Sequence, residues 1–158
     1  MGYEFYVTVT GAKQGAFKGD GMKDKNKIIG LGFRDAVSIP IAASSGAGAG
    51  KRQYSPVSFT KQWGPSSPQF IQALVTNEAL TTVLFEFLKV LPSGVQSVYY
   101  TIKLTDAQVS EVRQFSGNLS LIASSTAELD EISLVFKKIE ITYLAGSVQV
   151  VDDWENVT

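Results

Sequence analysis

The alternation of apolar and polar positions predicts a chain built mainly of strands. Tyr3, Phe5, Val7 and Val9 alternate with Glu4, Tyr6, Thr8 and Thr10, a period-two strand with one buried face that Gly11 ends. Residues 11–27 are rich in Gly, Lys and Asp and read as a surface loop. Ile28 to Phe33 resumes a strand, with Gly30 and Gly32 on one face and Ile29, Leu31 and Phe33 on the other; strand glycines mark a bend or a close approach. Val37 to Ile41 carries Pro40 and suits a sheet edge. Tyr54 to Lys61 is a further strand. Thr81 to Leu91 sets Val83, Phe85 and Phe87 against Leu84, Leu88 and Val90, so both faces should be covered. Pro92-Ser93-Gly94 turns the chain into a strand over Val98 to Thr105. Asp106 to Phe115 has no wide helical stripe and reads as more strand, because no breaker precedes it. Leu119 to Ser125 reads as a polar connector or weak strand. Ile132, Leu134 and Phe136 then have the opposite parity to Ile139, Ile141 and Tyr143. A bulge at Lys137-Lys138, or passage to a second packed sheet, would produce that phase change. Val148 to Val151 closes the series.

One segment breaks the strand pattern. Ser67 can cap a helix, Pro68 fits the first helical position, and Phe70, Ile71, Leu74 and Val75 fall on one face. The spacing predicts a short α-helix over about residues 68–77, with Gln69, Gln72 and Thr76 off its apolar stripe. Many short strands with one helix imply an antiparallel β-barrel or sandwich, and 158 residues suit a single domain over 1–158.

Composition narrows the chemistry. With no Cys and no His, disulfides, thiolate catalysis, cysteine-based metal sites and the Ser-His-Asp triad are excluded. A net charge of −1 gives no electrostatic case for nucleic acid or an anionic membrane. Charged residues make up 18%, below the usual quarter, which fits a surface partly covered by partner subunits or simply a polar one. The N-terminus has no basic start followed by an apolar run, so the expectation is a chain made in the cytoplasm without a cleavable signal. No stretch reaches the length of a membrane helix.

Ala42 to Gln53 cannot pack a core and is expected to protrude as a flexible loop. Its Gly46-Ala47-Gly48-Ala49-Gly50-Lys51-Arg52 run lacks the phosphate-loop spacing. Ser58-Phe59-Thr60-Lys61 matches Ser-x-x-Lys without the companion motifs, a chance match. The acidic pairs Asp130-Glu131 and Asp152-Asp153 read as solvated surface acids rather than calcium ligands or glycosidase carboxylates. Trp63 and Trp154 can stack on sugars, anchor an interface or sit in the core. No cofactor is called for.

Several stretches in order resemble the haemolysin-coregulated protein (Hcp) family, the tube subunit of bacterial type VI secretion. These are Phe59-Thr60-Lys61 with Ser66-Ser67-Pro68-Gln69-Phe70-Ile71-Gln72-Ala73-Leu74, then Tyr99-Tyr100-Thr101-Ile102-Lys103-Leu104, then Glu131 to Tyr143. Tyr6 to Gly11 is similar to the family's start, and Asp153-Trp154 to its end. Residues 11–27 and Trp63-Gly64-Pro65 depart from the pattern. The resemblance implies a mainly β fold, an antiparallel β-barrel of two packed sheets with one short helix. It also implies a non-enzymatic homohexameric ring, stacking into a tube that is exported by the type VI apparatus. Partners would be further copies, sheath, baseplate and spike proteins, and effector cargo in the lumen. On that reading Ser45, Gly46, Gly48, Gly50, Lys51, Arg52, Trp63, Gln69, Gln72 and Trp154 are candidates for subunit or ring interfaces. The competing readings are a tail-tube protein of a phage or other contractile particle, and a ligand- or carbohydrate-binding β-sandwich.

Overall fold

The computed structural model describes residues 5–20, 25–41, 51–118 and 126–153. Its strands are β1 (Phe5–Gly11), β2 (Gly15–Ala16), β3 (Ile28–Gly30), β4 (Gly32–Arg34), β5 (Val37–Ser38), β6 (Gln53–Tyr54) and β7 (Val57–Gln62). After helix α1 (Ser66–Val75) come β8 (Leu80–Val90), β9 (Gln96–Asn118), β10 (Thr126–Val135), β11 (Lys138–Tyr143) and β12 (Val148–Asp153). All pairings are antiparallel.

The strands form two packed sheets. The first runs β12, β11, the N-terminal half of β9, β8 and β1, with β2 and β3 sharing the far edge of β1. The second runs from the C-terminal half of β9 through β10 and β7 to β4. The segment 106–115 is strand, the continuation of β9. Ile102 and Leu104 are buried before Asp106, and Ala107 and Val109 after it, so the inward parity flips. Asp106 takes φ 51 at that corner, a region that side chains other than Gly seldom adopt. The chain beside it flips too. Ile132 and Leu134 face the core in β10, Ile139 in β11, and the Lys137 amide bonds the Thr105 carbonyl at 3.2 Å. The phase change at Lys137-Lys138 is therefore the place where a two-strand ribbon bends from one sheet into the other.

On the opposite side, residues 28–34 cross back. β3 pairs with β1 and β4 with β7, and the Leu31 amide bonds the Thr60 carbonyl at 2.8 Å. The ladder breaks at Leu31, so the sheets do not close into one continuous barrel. Ile29 and Leu31 point outward, 37% and 54% exposed. Gly30 is buried under the Phe5 ring, which a side chain there would overlap. The core between the sheets is aromatic: Phe59 lies 5.5 Å from Phe85 and 5.8 Å from Phe70, edge to face.

Helix α1 differs in detail from its sequence signature. It starts at Ser66, with Pro65 in the capping position and no side-chain cap. Ser67 and Pro68 are thus its second and third residues. The buried stripe is Ser66, Ser67, Phe70 and Ala73, whereas Leu74 and Val75 are 37% and 70% exposed. Its end is a Schellman turn. Asn77 takes φ 53, its amide bonds the Leu74 carbonyl, and the Glu78 amide bonds that of Ala73 at 2.9 Å. That turn aims Glu78 inward.

Candidate subunit interface

Polar side chains fix the surfaces that a partner would meet. In β7 the alternation buries Val57, Phe59 and Lys61, and the register places Lys61 directly opposite Asp130 in β10. Both are fully buried. The Lys61 ammonium donates to Asp130 Oδ2 at 3.0 Å, Ser67 Oγ at 2.9 Å and the Gln62 carbonyl at 2.8 Å, using all three donors. Ser67 Oγ donates to Asp130 Oδ2 at 2.5 Å, and Gln114 Nε2 to Oδ1 at 3.1 Å. Ser67 is committed to this cluster, which is why it does not cap the first turn. The arrangement resembles a Ser-Lys dyad in composition, but it is sealed from solvent and its role is to pin the helix start to the second sheet. Asp130 is thus a core residue, not a solvated acid. Ser58 lies on the opposite face of β7 from Lys61 and contacts Ser133 Oγ at 3.0 Å, so the Ser-x-x-Lys match carries no chemistry.

A second buried carboxylate shapes the loop after β1. Glu78 accepts the amides of Lys13 and Gln14 at 2.9 and 2.8 Å and the Gln14 side-chain amide at 3.0 Å. Burial pushes its carboxyl up, but these donors outweigh burial and hold it below the ordinary value. Gly11 is required there, since a side chain would strike the Glu78 carboxylate. The loop also docks on the helix: the Lys18 amide bonds Gln69 Oε1 at 2.8 Å, and Gln14 Nε2 bonds the Gln69 carbonyl at 3.0 Å.

A third cluster sits at the base of the two-stranded hairpin formed by β5 and β6. Arg52 grips Asp152 of β12 with two bonds of 2.6 and 2.5 Å, and the Tyr54 hydroxyl donates to Asp152 Oδ2 at 2.5 Å. Arg52 holds the Asp152 carboxyl below its usual value. Burial, then the bond to Asp152, pushes the Tyr54 phenol up to about 12. Asp152 therefore belongs to a clasp and is not a free surface acid.

Among the described residues, exposed apolar side chains line both edges of the first sheet. At one edge of the first sheet, Val148, Val150 and Val151 of β12 are 65%, 56% and 49% exposed. At the other, Ile29 and Leu31 lead toward exposed Val37, Ile39 and Ile41. Beyond the end of the core farthest from α1 lies an open hollow of about 700 Å³, walled by Phe33, Phe87, Tyr99, Tyr100 and Tyr143, with Asp35 at its rim. Asp35 Oδ1 is out of solvent and has no hydrogen-bond partner. Burial raises the Asp35 carboxyl above its ordinary value, against a lowering bond from the Ala36 amide.

Of the residues singled out from sequence, Gln72 is exposed on α1, Gln69 is half-buried and engaged by the loop, and Lys51 is exposed. Trp63 is 42% exposed, with its ring N–H on the Leu129 carbonyl at 3.1 Å. Arg52 is held in the clasp. Ser45, Gly46, Gly48, Gly50 and Trp154 lie outside the described residues. Asp35, Tyr54 and Glu78 were not legible as site residues. Lone polar residues between apolar segments carry no signal until the fold shows what surrounds them.

The family described as "Type VI secretion system effector, Hcp" matches residues 6–143. A curated relative, the "Major exported protein" of Pseudomonas aeruginosa, is 28% identical over 163 residues, covering 96% of this chain and 95% of that protein. Among solved structures, a "Crystal structure of Hcp protein" superposes with a TM-score of 0.89 at 22% identity, over 97% of this chain and 98% of that one. The Hcp1 protein of E. coli superposes at 0.84 with 24% identity, over 97% and 99%. These structures share the fold.

Proposed function

The chain belongs to the Hcp family of type VI secretion proteins, and from that premise we propose that it is a structural subunit of the secretion tube. Six copies form a ring, rings stack, and the lumen carries effector cargo. The observation that supports a ring best is the pair of apolar edges at opposite ends of the first sheet, β12 on one side and the β3 side on the other. Two different patches on opposite sides are what a heterologous, closing contact requires. Free edges with exposed Val, Ile and Leu are also surfaces that a monomer would expose at risk of aggregation. The subunit works by geometry rather than catalysis, as expected of a family of tube proteins. The exported relative supports export by the type VI apparatus. Sheath, baseplate and spike proteins are the further partners, with Gln72 and exposed Leu74 and Val75 on the helix face offered to a sheath or neighbour. The segment Ser45 to Gly50 is proposed to reach a neighbouring subunit.

Val150→Asp tests the ring. It places a charge on an exposed edge and spares the core, so the monomer's melting temperature should hold. Negative-stain microscopy and light scattering should show wild-type six-fold rings and mostly monomers for the variant. Rings unaffected by the charge would remove the β12 edge from the interface.

A further inference from the structure

We propose that the aromatic hollow at Asp35 is a socket for a lysine of another copy, presented by the basic loop after β1, and that this contact joins one ring to the next. The inference rests on the tube reading and names the partner of one of its surfaces.

The socket has the chemistry of a cation site. Phe33, Phe87, Tyr99, Tyr100 and Tyr143 supply apolar walls and ring faces that suit a lysine stem and its ammonium. The molecule already uses one of these rings in this way: Lys89 Nζ stands 5.4 Å from the Tyr99 ring centre. At the rim, Asp35 carries a carboxylate oxygen that is removed from water and lacks a donor. Such a group costs free energy until a donor or cation reaches it. Rotation about its soft χ2 turns either oxygen toward the opening. Arg34, its neighbour, is exposed at the same rim and makes none of the ion pairs among the described residues.

The matching cations are Lys18 and Lys25, in the part of the loop that docks beside α1. Residues 11–27 hold five lysines against two aspartates. Lys18 and Lys25 are exposed and enter no ion pair among the described residues. Lys18 sits beside α1, its amide on Gln69 Oε1 at 2.8 Å, and Asp20 lies against Gly64, beyond the Gln62 end of β7, whereas Asp35 follows Arg34, which pairs with Ser58 toward the other end of β7. The four residues of β7 from Gln62 to Ser58 alone span about 13 Å at roughly 3.3 Å per residue, beyond the reach of a lysine. A Lys18–Asp35 contact can therefore form only between copies. Socket at one end and cations at the other make an end-to-end contact, which propagates along a stack.

Carbodiimide coupling of wild-type protein at stacking concentrations, using mixed light and heavy isotope-labelled subunits, tests this directly. Expected are isopeptide-linked peptides joining Asp35 to Lys18 or Lys25 of a differently labelled copy. Asp35→Asn should keep single rings by electron microscopy and raise the concentration needed for stacking by about 30-fold or more. The monomer's melting temperature should hold or rise, because one oxygen of the half-buried carboxylate has no donor to lose. Wild-type stacks without an Asp35 link, stacking of the variant at the wild-type concentration, or loss of its rings would each overturn the socket. A fall in the variant's melting temperature would make Asp35 a structural residue instead. Absence of rings in wild-type protein would overturn the ring reading itself, and the socket with it.

Discussion

Two ion pairs hold this molecule together in different ways. Lys61–Asp130 is fully buried between the helix and the second sheet, whereas Arg52 and Asp152 keep 31% and 22% of their side chains exposed at the hairpin base. The first pair has given up its water and must be satisfied completely, and every Lys61 donor and both Asp130 oxygens are engaged. The second retains solvent, so its Coulomb attraction is screened. What the clasp supplies is direction: it ties the strand entering β6 to the last strand. Burial therefore separates a pair whose loss unfolds the joint from one whose loss frees an arm, the β5–β6 ladder, from β12.

The largest expected effect breaks the buried pair. Asp130→Ala leaves an ammonium uncompensated in the core and should cost about 3–5 kcal/mol in urea unfolding. Lys61→Met combined with Asp130→Leu removes both charges and should recover most of that loss. A single variant costing under about 1 kcal/mol would show that water reaches the site and would erase the contrast with the clasp.

Glu78 tests an intermediate case, a buried carboxylate satisfied by amides instead of a cation. Glu78→Gln keeps the shape and loses charge-assisted bonds, at a cost of about 1–2 kcal/mol. Because the folded carboxyl lies below its unfolded value, its contribution is present above the unfolded value near 4.5 and fades as pH falls through the folded one. Wild-type stability should decline more steeply than that of the variant on the acid side. Parallel acid limbs in urea titrations would show that the loop bonds do not depend on the charge.

These clusters also explain what was readable in advance. Period-two alternation located β1, because it buries one face, and it exposed the ribbon's corner at Lys137-Lys138; β8 buries chiefly one face, Val83, Phe85 and Leu88, where cover on both was expected. The same flip was present around Asp106, but Val109, Val112 and Phe115 obscured it: a register shift near Ser133 changes parity again within a few residues. At the helix, Ser67 and Pro68 looked like a cap because capping is local, while the Lys61–Asp130 cluster that claims Ser67 depends on a strand pairing 69 residues away. Ile71, Leu74 and Val75 looked like the core face, yet Phe70 and Ala73 won that position. The apolar surplus left outside, Leu74 and Val75, is what the proposed tube reading offers to a neighbour.

The clasp offers the smallest effect and the sharpest reading. Asp152→Asn removes the charge that Arg52 grips but leaves a similar shape, and a screened pair adds little to global stability, so the melting temperature should fall by no more than about 2–4 °C. Tyr54 reports the local change. Its phenol is raised first by burial and then by the bond to Asp152, to about 12. With the neutral phenol favoured in the fold, its contribution to stability is whole below the unfolded value of 10 and is lost as pH rises through about 12. The substitution removes only the second cause. In an ultraviolet titration the Tyr54 transition should therefore move down while remaining above 10. Amide exchange at Ser55, whose N–H bonds the Ala36 carbonyl across the hairpin at 2.9 Å, should quicken at the same time. A downward titration without faster exchange would mean that the carboxylate tunes the phenol but does not hold the arm.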